Sequence, residues 1–126
     1  MGNREKTVNF EDLEVWQQAI KLSKTVYQIS SKFPKSEMYG LTNQIRRAVN
    51  SISANIAEGY GRRNLPEKAQ FYKIAYGSAL ETKNFIYLSV ELGFYDSKLS
   101  DAVLSDIVVI QKGLNALISS VNNSAK

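Results

Sequence analysis

Residues 44–63 read QIRRAVNSISANIAEGYGRR, and three signals overlap in them. Ile45, Ala48, Val49, Ile52 and Ile56 recur at intervals of three and four, which draws one apolar stripe down a helix. Arg46 and Arg47 stand near one end of that stripe, and Arg62 and Arg63 follow the other. Gly59 is placed to end the helix as a left-handed C-terminal residue, with Gly61 close behind. The stretch thus supplies a core seam, a stop and two arginine pairs, with Arg46-Arg47 about 20 Å from the glycines along a helix. Off the stripe the residues are small or polar (Asn50, Ser51, Ser53, Ala54, Ala57), which lets a second helix come close.

Outward from this stretch the helical period holds. From Leu13 to about Lys32 an apolar set that includes Val15, Trp16, Ala19, Leu22 and Val26 spreads over about 200° of the helix, with Asn9 or Asp12 placed to cap it. Pro34 pushes its predecessor out of the helical region and ends that segment, and Ser36 stands ready to cap the next. Asn64-Leu65-Pro66-Glu67 matches a capping box with proline in the first turn, opening a third helix. Its apolar residues, Phe71, Tyr72, Tyr76, Leu80, Ile86 and Tyr87 among them, cover more than half its circumference. Gly93 reads as a left-handed cap, Asp96 or Ser97 opens a fourth helix, and Leu99, Val103, Ile107, Ile110, Leu114 and Val121 form its seam. The polar residues up to about Phe10 are expected to be loose, and the tail from Asn122 to fray.

Helices are therefore expected at about 12–32, 38–58, 65–92 and 98–121, with no strand pattern competing. Short connections favour antiparallel neighbours, so the expected fold is all-α, a single-domain antiparallel up-down-up-down four-helix bundle. Helices one and three carry more apolar surface than one core needs. That surplus predicts a homo-oligomer, with Trp16, Leu22, Tyr72, Tyr76, Leu80 and Tyr87 at its interface.

The 126 residues are 44% hydrophobic and 22% charged, ordinary for a globular domain. With neither cysteine nor histidine, the chain is barred from disulfides, the usual zinc sites and cysteine or histidine catalysis. No cofactor or metal is expected. No window of about 18 apolar residues stands out and the N-terminus lacks an apolar leader, so the expectation is a cytoplasmic protein without a membrane span. Net charge is +4, and its placement is uneven: Leu41–Ala75 holds six basic residues against two acidic ones, while the rest of the chain balances ten against ten. Such localised charge points to an anionic partner, RNA or DNA first, although a solvated arginine-rich surface has the same signature.

Within that segment Arg46, Arg47, Arg62, Arg63, Lys68 and Lys73 are the candidate phosphate contacts, and Tyr60 the candidate base-stacking ring. The turn from Glu58 to Asn64 places glycine backbone and arginines at a helix start, an anion-binding arrangement, though no P-loop spacing occurs. Asn55, Glu58 and Glu81 lie at the margins of apolar stripes. Two carboxylates without histidine or a third acid point to interhelical hydrogen bonding rather than to an enzyme.

The blocks FEDLEVWQQAIKL, YGLTNQIRRAVNSISANIAEGYGRR, FYKIAYGSALET and LSVELGF together resemble the four-helix-bundle proteins encoded in intervening sequences of bacterial 23S rRNA genes. The match runs from about Phe10 to about Tyr95. The resemblance implies an up-down bundle that assembles as a ring, usually a homopentamer. It also implies kinship with basic accessory proteins of diversity-generating retroelements, which are linked to nucleic-acid and polymerase binding. Arg46, Arg47, Asn55, Glu58, Gly59, Gly61, Arg62 and Glu81 fall on motif positions, none of them carried over as catalytic. Where the family often has proline this chain has Ser53, so its second helix keeps a hydrogen bond there. Two readings follow: a non-enzymatic ring that binds nucleic acid, or a ring that serves as a protein–protein adaptor.

Overall fold

The computed structural model describes residues 9–124; the segment up to residue 8 that was expected to be loose, and residues 125–126, lie outside the described residues. Four helices make up most of it: α1 (Glu14–Ser30), α2 (Leu41–Gly61), α3 (Leu65–Glu91) and α4 (Ser97–Ser124). Single 3-10 turns at Phe10–Asp12 and Lys35–Glu37 lead into α1 and α2. Each helix packs on its neighbours in sequence and α4 closes on α1, while the backbones of the diagonal pairs stay apart and meet only through core side chains. Direction follows from the contacts. Ser23 and Tyr27 reach Val49 and Asn50, while Ser30 reaches back to Arg46. Ser51 bonds Ser78 and Gly59 faces Tyr72; Tyr76 meets Gln111 and Val15 meets Gly113. From Ser23–Val49 to Ser30–Arg46 and from Ser51–Ser78 to Gly59–Tyr72 the numbers rise on one helix as they fall on the other; Tyr72 beside Val121 and Ile29 beside Leu99 give the same order for α3–α4 and α1–α4, so the bundle is antiparallel.

The stripe read from residues 44–63 lies at the centre. Ile45, Val49, Ile52 and Ile56 are fully buried, facing Val26 from α1, Ile86 from α3 and Ile107, Ile110 and Leu114 from α4. Each such side chain contributes about 1.5–3 kcal/mol. A smaller cluster of Ala69, Tyr72 and Val121 closes the end where α3 starts. Val121 anchors the last part of α4, which continues to Ser124.

Local chemistry sets the ends. Asn64 Oδ1 accepts the Glu67 N–H at 3.0 Å, with Pro66 in the first turn of α3. Gly93, at φ 78°, is the left-handed residue of a Schellman motif: its N–H donates to Val90, and the Phe94 N–H donates to Ser89 at 2.8 Å. That turn brings the Phe94 ring 5.8 Å from Phe33. Asp96 Oδ1 accepts the Lys98 N–H at 2.8 Å. Two expected caps differ. Glu37 Oε1, not Ser36, accepts the Leu41 N–H at 3.1 Å, putting a carboxylate at the positive end of α2. The Asn9 N–H and Asp12 Oδ2 close the 3-10 turn, and α1 starts only after Leu13.

The largest correction falls on α2, which starts and ends about one turn later than expected. Gly59 does not stop it. The residue is helical and buried, and Gly93 alone among the described residues has positive φ. The reason is steric: a Cβ on Gly59 would stand 2.8 Å from Tyr72 Cε1 and 3.0 Å from Phe71 Cβ. Glycine is there so that α3 can approach.

The predicted interface set also divides. Leu22 and Tyr72, each 2% exposed, lie inside the bundle and offer nothing to a neighbour. Trp16 is half-buried and meets Phe10 edge-on at 5.2 Å, and the half-buried Tyr76 accepts a hydrogen bond from Gln111. Leu80 and Tyr87 do face outward. Contrary to the expectation that no window would stand out, α4 is long and apolar enough to cross a membrane by length and composition, with mean hydropathy 1.4. Its seam nonetheless forms one wall of the bundle core, and only 22% of the apolar window is buried within the chain.

Gly59→Ala is expected to force α2 and α3 apart and cost about 1–3 kcal/mol. Gly61→Ala, which meets open space on a helical backbone, should be neutral or stabilising by up to about 1 kcal/mol. Thermal melts of the two variants compare them directly.

Candidate functional site

The α2–α3 hairpin gathers every residue singled out for phosphate contact, but it does not leave them equally available. The end of α2 has carbonyls without helical partners. Lys68, one turn into α3, supplies the donors: its Nζ donates to the Gly59 carbonyl at 3.0 Å and the Tyr60 carbonyl at 2.7 Å. The ammonium also lies 5.2 Å from the Tyr60 ring centre, and burial holds its pKa below the usual lysine range. Lys68 is therefore a cap that joins the two helices, and Tyr60 presents a ring face to it. Neither stands free as the base-stacking or phosphate-binding group expected. Burial, with Tyr60 adding to it, raises the Tyr72 phenol beneath.

Arg62 is also engaged. Its guanidinium pairs with Glu58 at 2.7 Å, reaches Glu67 at 3.8 Å and lies 4.9 Å from the Phe71 ring centre. Glu58 therefore pairs with the arginine one turn on, and not across helices as its place at the stripe margin suggested. The pair is solvent-exposed, so its contribution to stability is small. Arg46, at the other end of α2, turns toward α1: Nε donates to Ser30 Oγ at 2.8 Å and a terminal nitrogen to the Tyr27 carbonyl at 3.4 Å. The cation stacks 4.6 Å from the Tyr27 ring centre, and the Tyr27 hydroxyl accepts from Asn50. Arg46 thereby compensates the negative C-terminal end of α1.

Arg47, one residue on and splayed by about 100°, faces the opposite side. It borders a groove of about 560 Å³ between α2 and α3, lined also by Tyr39, Asn43 and Gln44 and, from α3, by Glu81. Arg63 is exposed in the connection, and Lys73 is exposed beside α4. Arg47, Arg63 and Lys73 have no acid within ion-pair distance among the described residues. They are spread along the hairpin instead of meeting at one point.

Asn55 bonds within α2, where its amide donates to the Ser51 carbonyl and hydroxyl; the link across helices is made by Ser78, whose hydroxyl donates to Ser51 Oγ at 2.9 Å. Glu58 and Glu81 are not brought together. Gly59 lies level with Tyr72, and Glu81 is nine residues further along α3, about 13 Å by helix rise. Among the described residues no cluster of three acidic side chains offers a metal site. The sequence reading missed Tyr39, 95% exposed, and the amides Asn43 and Gln44 beside Arg47. Their only signal was a polar stretch next to the arginine pair.

The family profile described as 23S rRNA-intervening sequence protein matches residues 11–116. Among solved structures the chain is similar to a protein of unknown function from the S23 ribosomal protein family of Bacteroides thetaiotaomicron, with a TM-score of 0.77 at 20% identity. The likeness covers 83% of this chain and 95% of that one, and it shows a shared fold. No curated protein matches.

Lys68→Met is expected to remove the bonds that cap α2 and to cost about 1–2 kcal/mol. Its melting temperature should fall while binding to a polyanion changes little. The reverse pattern would return Lys68 to the contact surface.

Proposed function

The chain belongs to the 23S rRNA-intervening sequence protein family, and from that membership we propose that it is a non-enzymatic, self-assembling bundle that holds RNA or DNA on the outer side of its α2–α3 hairpin. The observation that carries this reading is the placement of charge. The whole excess of +4 falls in Leu41–Ala75, and within it Arg47, Arg63 and Lys73 remain exposed without acidic partners among the described residues. An arginine fork matches two phosphate oxygens, and a lysine adds a point charge. Three such contacts are weak alone. Repetition of the same face by several subunits makes them additive along one polymer, because each later contact forms at high effective concentration. Self-assembly is supported by the apolar surface of α3 and its C-cap, where Ile74, Leu80, Tyr87, Leu88 and Leu92 are all exposed.

The adaptor reading draws support from a separate fact. Arg46, Arg62 and Lys68 are engaged within the chain, which halves the cations available to a polyanion. It predicts an assembly indifferent to nucleic acid.

Anisotropy titrations of a generic RNA hairpin and a DNA duplex over a range of salt separate the two. Binding is expected to weaken steeply with salt. Replacing Arg47, Arg63 and Lys73 together by alanine should flatten the slope of log affinity against log salt by about 2–3. Arg62→Ala should change it less. Absence of binding at low salt, or an affinity unmoved by salt, would overturn the nucleic-acid reading in favour of the adaptor.

A further inference from the structure

The groove between α2 and α3 is lined by polar side chains that the fold leaves unused. At about 560 Å³ it falls within the size range of small-ligand sites. Asn43, Gln44 and Arg47 line it from α2 and Glu81 from α3. All four are exposed, and none takes part in a hydrogen bond or ion pair within the chain among the described residues. Arg46, Arg62 and Lys68, by contrast, are spent on the bundle itself. Arg47 and Glu81 bring opposite charges to one groove without closing on each other.

Two rings complete the lining. Phe85 is half-buried and packed against the core, so its place is fixed. Tyr39, in the turn before α2, is almost wholly exposed and offers a ring that nothing in the chain covers. Ala48 and Ser51 are small and keep room between the helices. The layout follows from register. Ser51 bonds Ser78 and the two helices are antiparallel, so Glu81 is level with Ala48 and Phe85 with Gln44. Phe85 and the two amides share one level, and Glu81 and Arg47 stand about one helical turn away, roughly 5 Å.

We propose that this groove receives one unpaired guanine of an RNA strand. This rests on the nucleic-acid reading above and names the part of the polymer that the site holds. An ionised carboxylate only accepts hydrogen bonds, so it selects a base by its donors. Guanine alone presents two adjacent donors, N1–H and the N2 amino group, and so gives Glu81 two bonds at once. Adenine and cytosine set one amino group beside an acceptor that repels the carboxylate, and uracil has a single N–H between two carbonyls. On the other edge of guanine O6 and N7 accept, which suits the amide N–H groups of Asn43 and Gln44. Arg47 takes the adjoining phosphate through its fork. The purine rests on Phe85, and Tyr39 covers its second face. Stacking tolerates any base, so the rings hold the base and Glu81 chooses it. A paired guanine is excluded, because cytosine occupies its donor edge and its neighbours in the stack cover both faces.

Anisotropy titrations at low salt test the assignment with three short labelled RNA strands: all uridine, uridine with one central guanosine, and uridine with one central adenosine. The guanosine strand is expected to bind about tenfold tighter than the other two, the worth of one bidentate base contact. Glu81→Gln, a change to an exposed side chain, should bring that ratio to about one. Annealing each strand to its complement should do the same. Guanosine monophosphate should bind at least about tenfold more weakly than the guanosine strand, since it lacks the further phosphates that Arg63 and Lys73 hold. Equal affinity would make a free nucleotide the ligand and overturn the strand. Strands that bind alike, or a guanosine preference that survives Glu81→Gln or annealing, overturn the guanine site alone. Absence of binding by every strand overturns the site and the nucleic-acid reading together.

Discussion

The close approach of α2 and α3 at Gly59 is the constraint on which the rest of the hairpin depends. With no side chain there, Tyr72 can lie against the α2 backbone and Phe71 beside it. That contact sets how far apart the two helices stand at their joined end. It places Lys68 within reach of the Gly59 and Tyr60 carbonyls and Phe71 beneath the Arg62 guanidinium. It also lets Tyr72 share a cluster with Ala69 and Val121, through which α3 fixes the far end of α4. A methyl group at Gly59 would therefore disturb the connection, the cap and the third neighbour together.

The same contact explains what could be read from residues alone. Four helices, their antiparallel order and most of the core were legible because apolar residues recur at the helical period and because the caps at Asn64 and Gly93 depend on neighbours only a few residues away. The end of α2 was not legible. Glycine after a helical stripe serves equally as a left-handed stop or as a site of close packing, and local sequence does not separate the two. The choice is made by Phe71 and Tyr72, on the next helix. Leu22 was misplaced for a similar reason: a wide apolar arc says that more is buried than one face requires, without saying which residues of the arc look inward.

The basic segment was located correctly as charge but only partly as surface. Helix C-termini carry a partial negative charge and unpaired carbonyls, and a nearby cation is the cheapest way to satisfy both. Arg46 does this for α1, bonding residues 16 and 19 positions earlier in the chain, and Lys68 does it for α2. Arg62 is held between two carboxylates and a ring. A count of basic residues cannot tell such uses from solvent-facing charge, because the carbonyls that capture the cations belong to other elements. What remains for a partner is Arg47, Arg63 and Lys73, a sparser line that suits repeated, shallow contact with a polymer better than a single deep anion site.

That sparseness ties nucleic-acid binding to self-assembly. Three cations strung along one hairpin bind phosphate weakly, so a nucleic-acid role requires that subunits present the hairpin repeatedly and at a common height. Arg47 borders the α2–α3 groove and Arg63 the connection, both clear of the exposed apolar residues Ile74, Leu80 and Leu88, whereas Lys73 stands beside them at the α4 seam. Self-association through the apolar face of α3 would therefore cover Lys73 first and leave Arg47 and Arg63 to carry the contact.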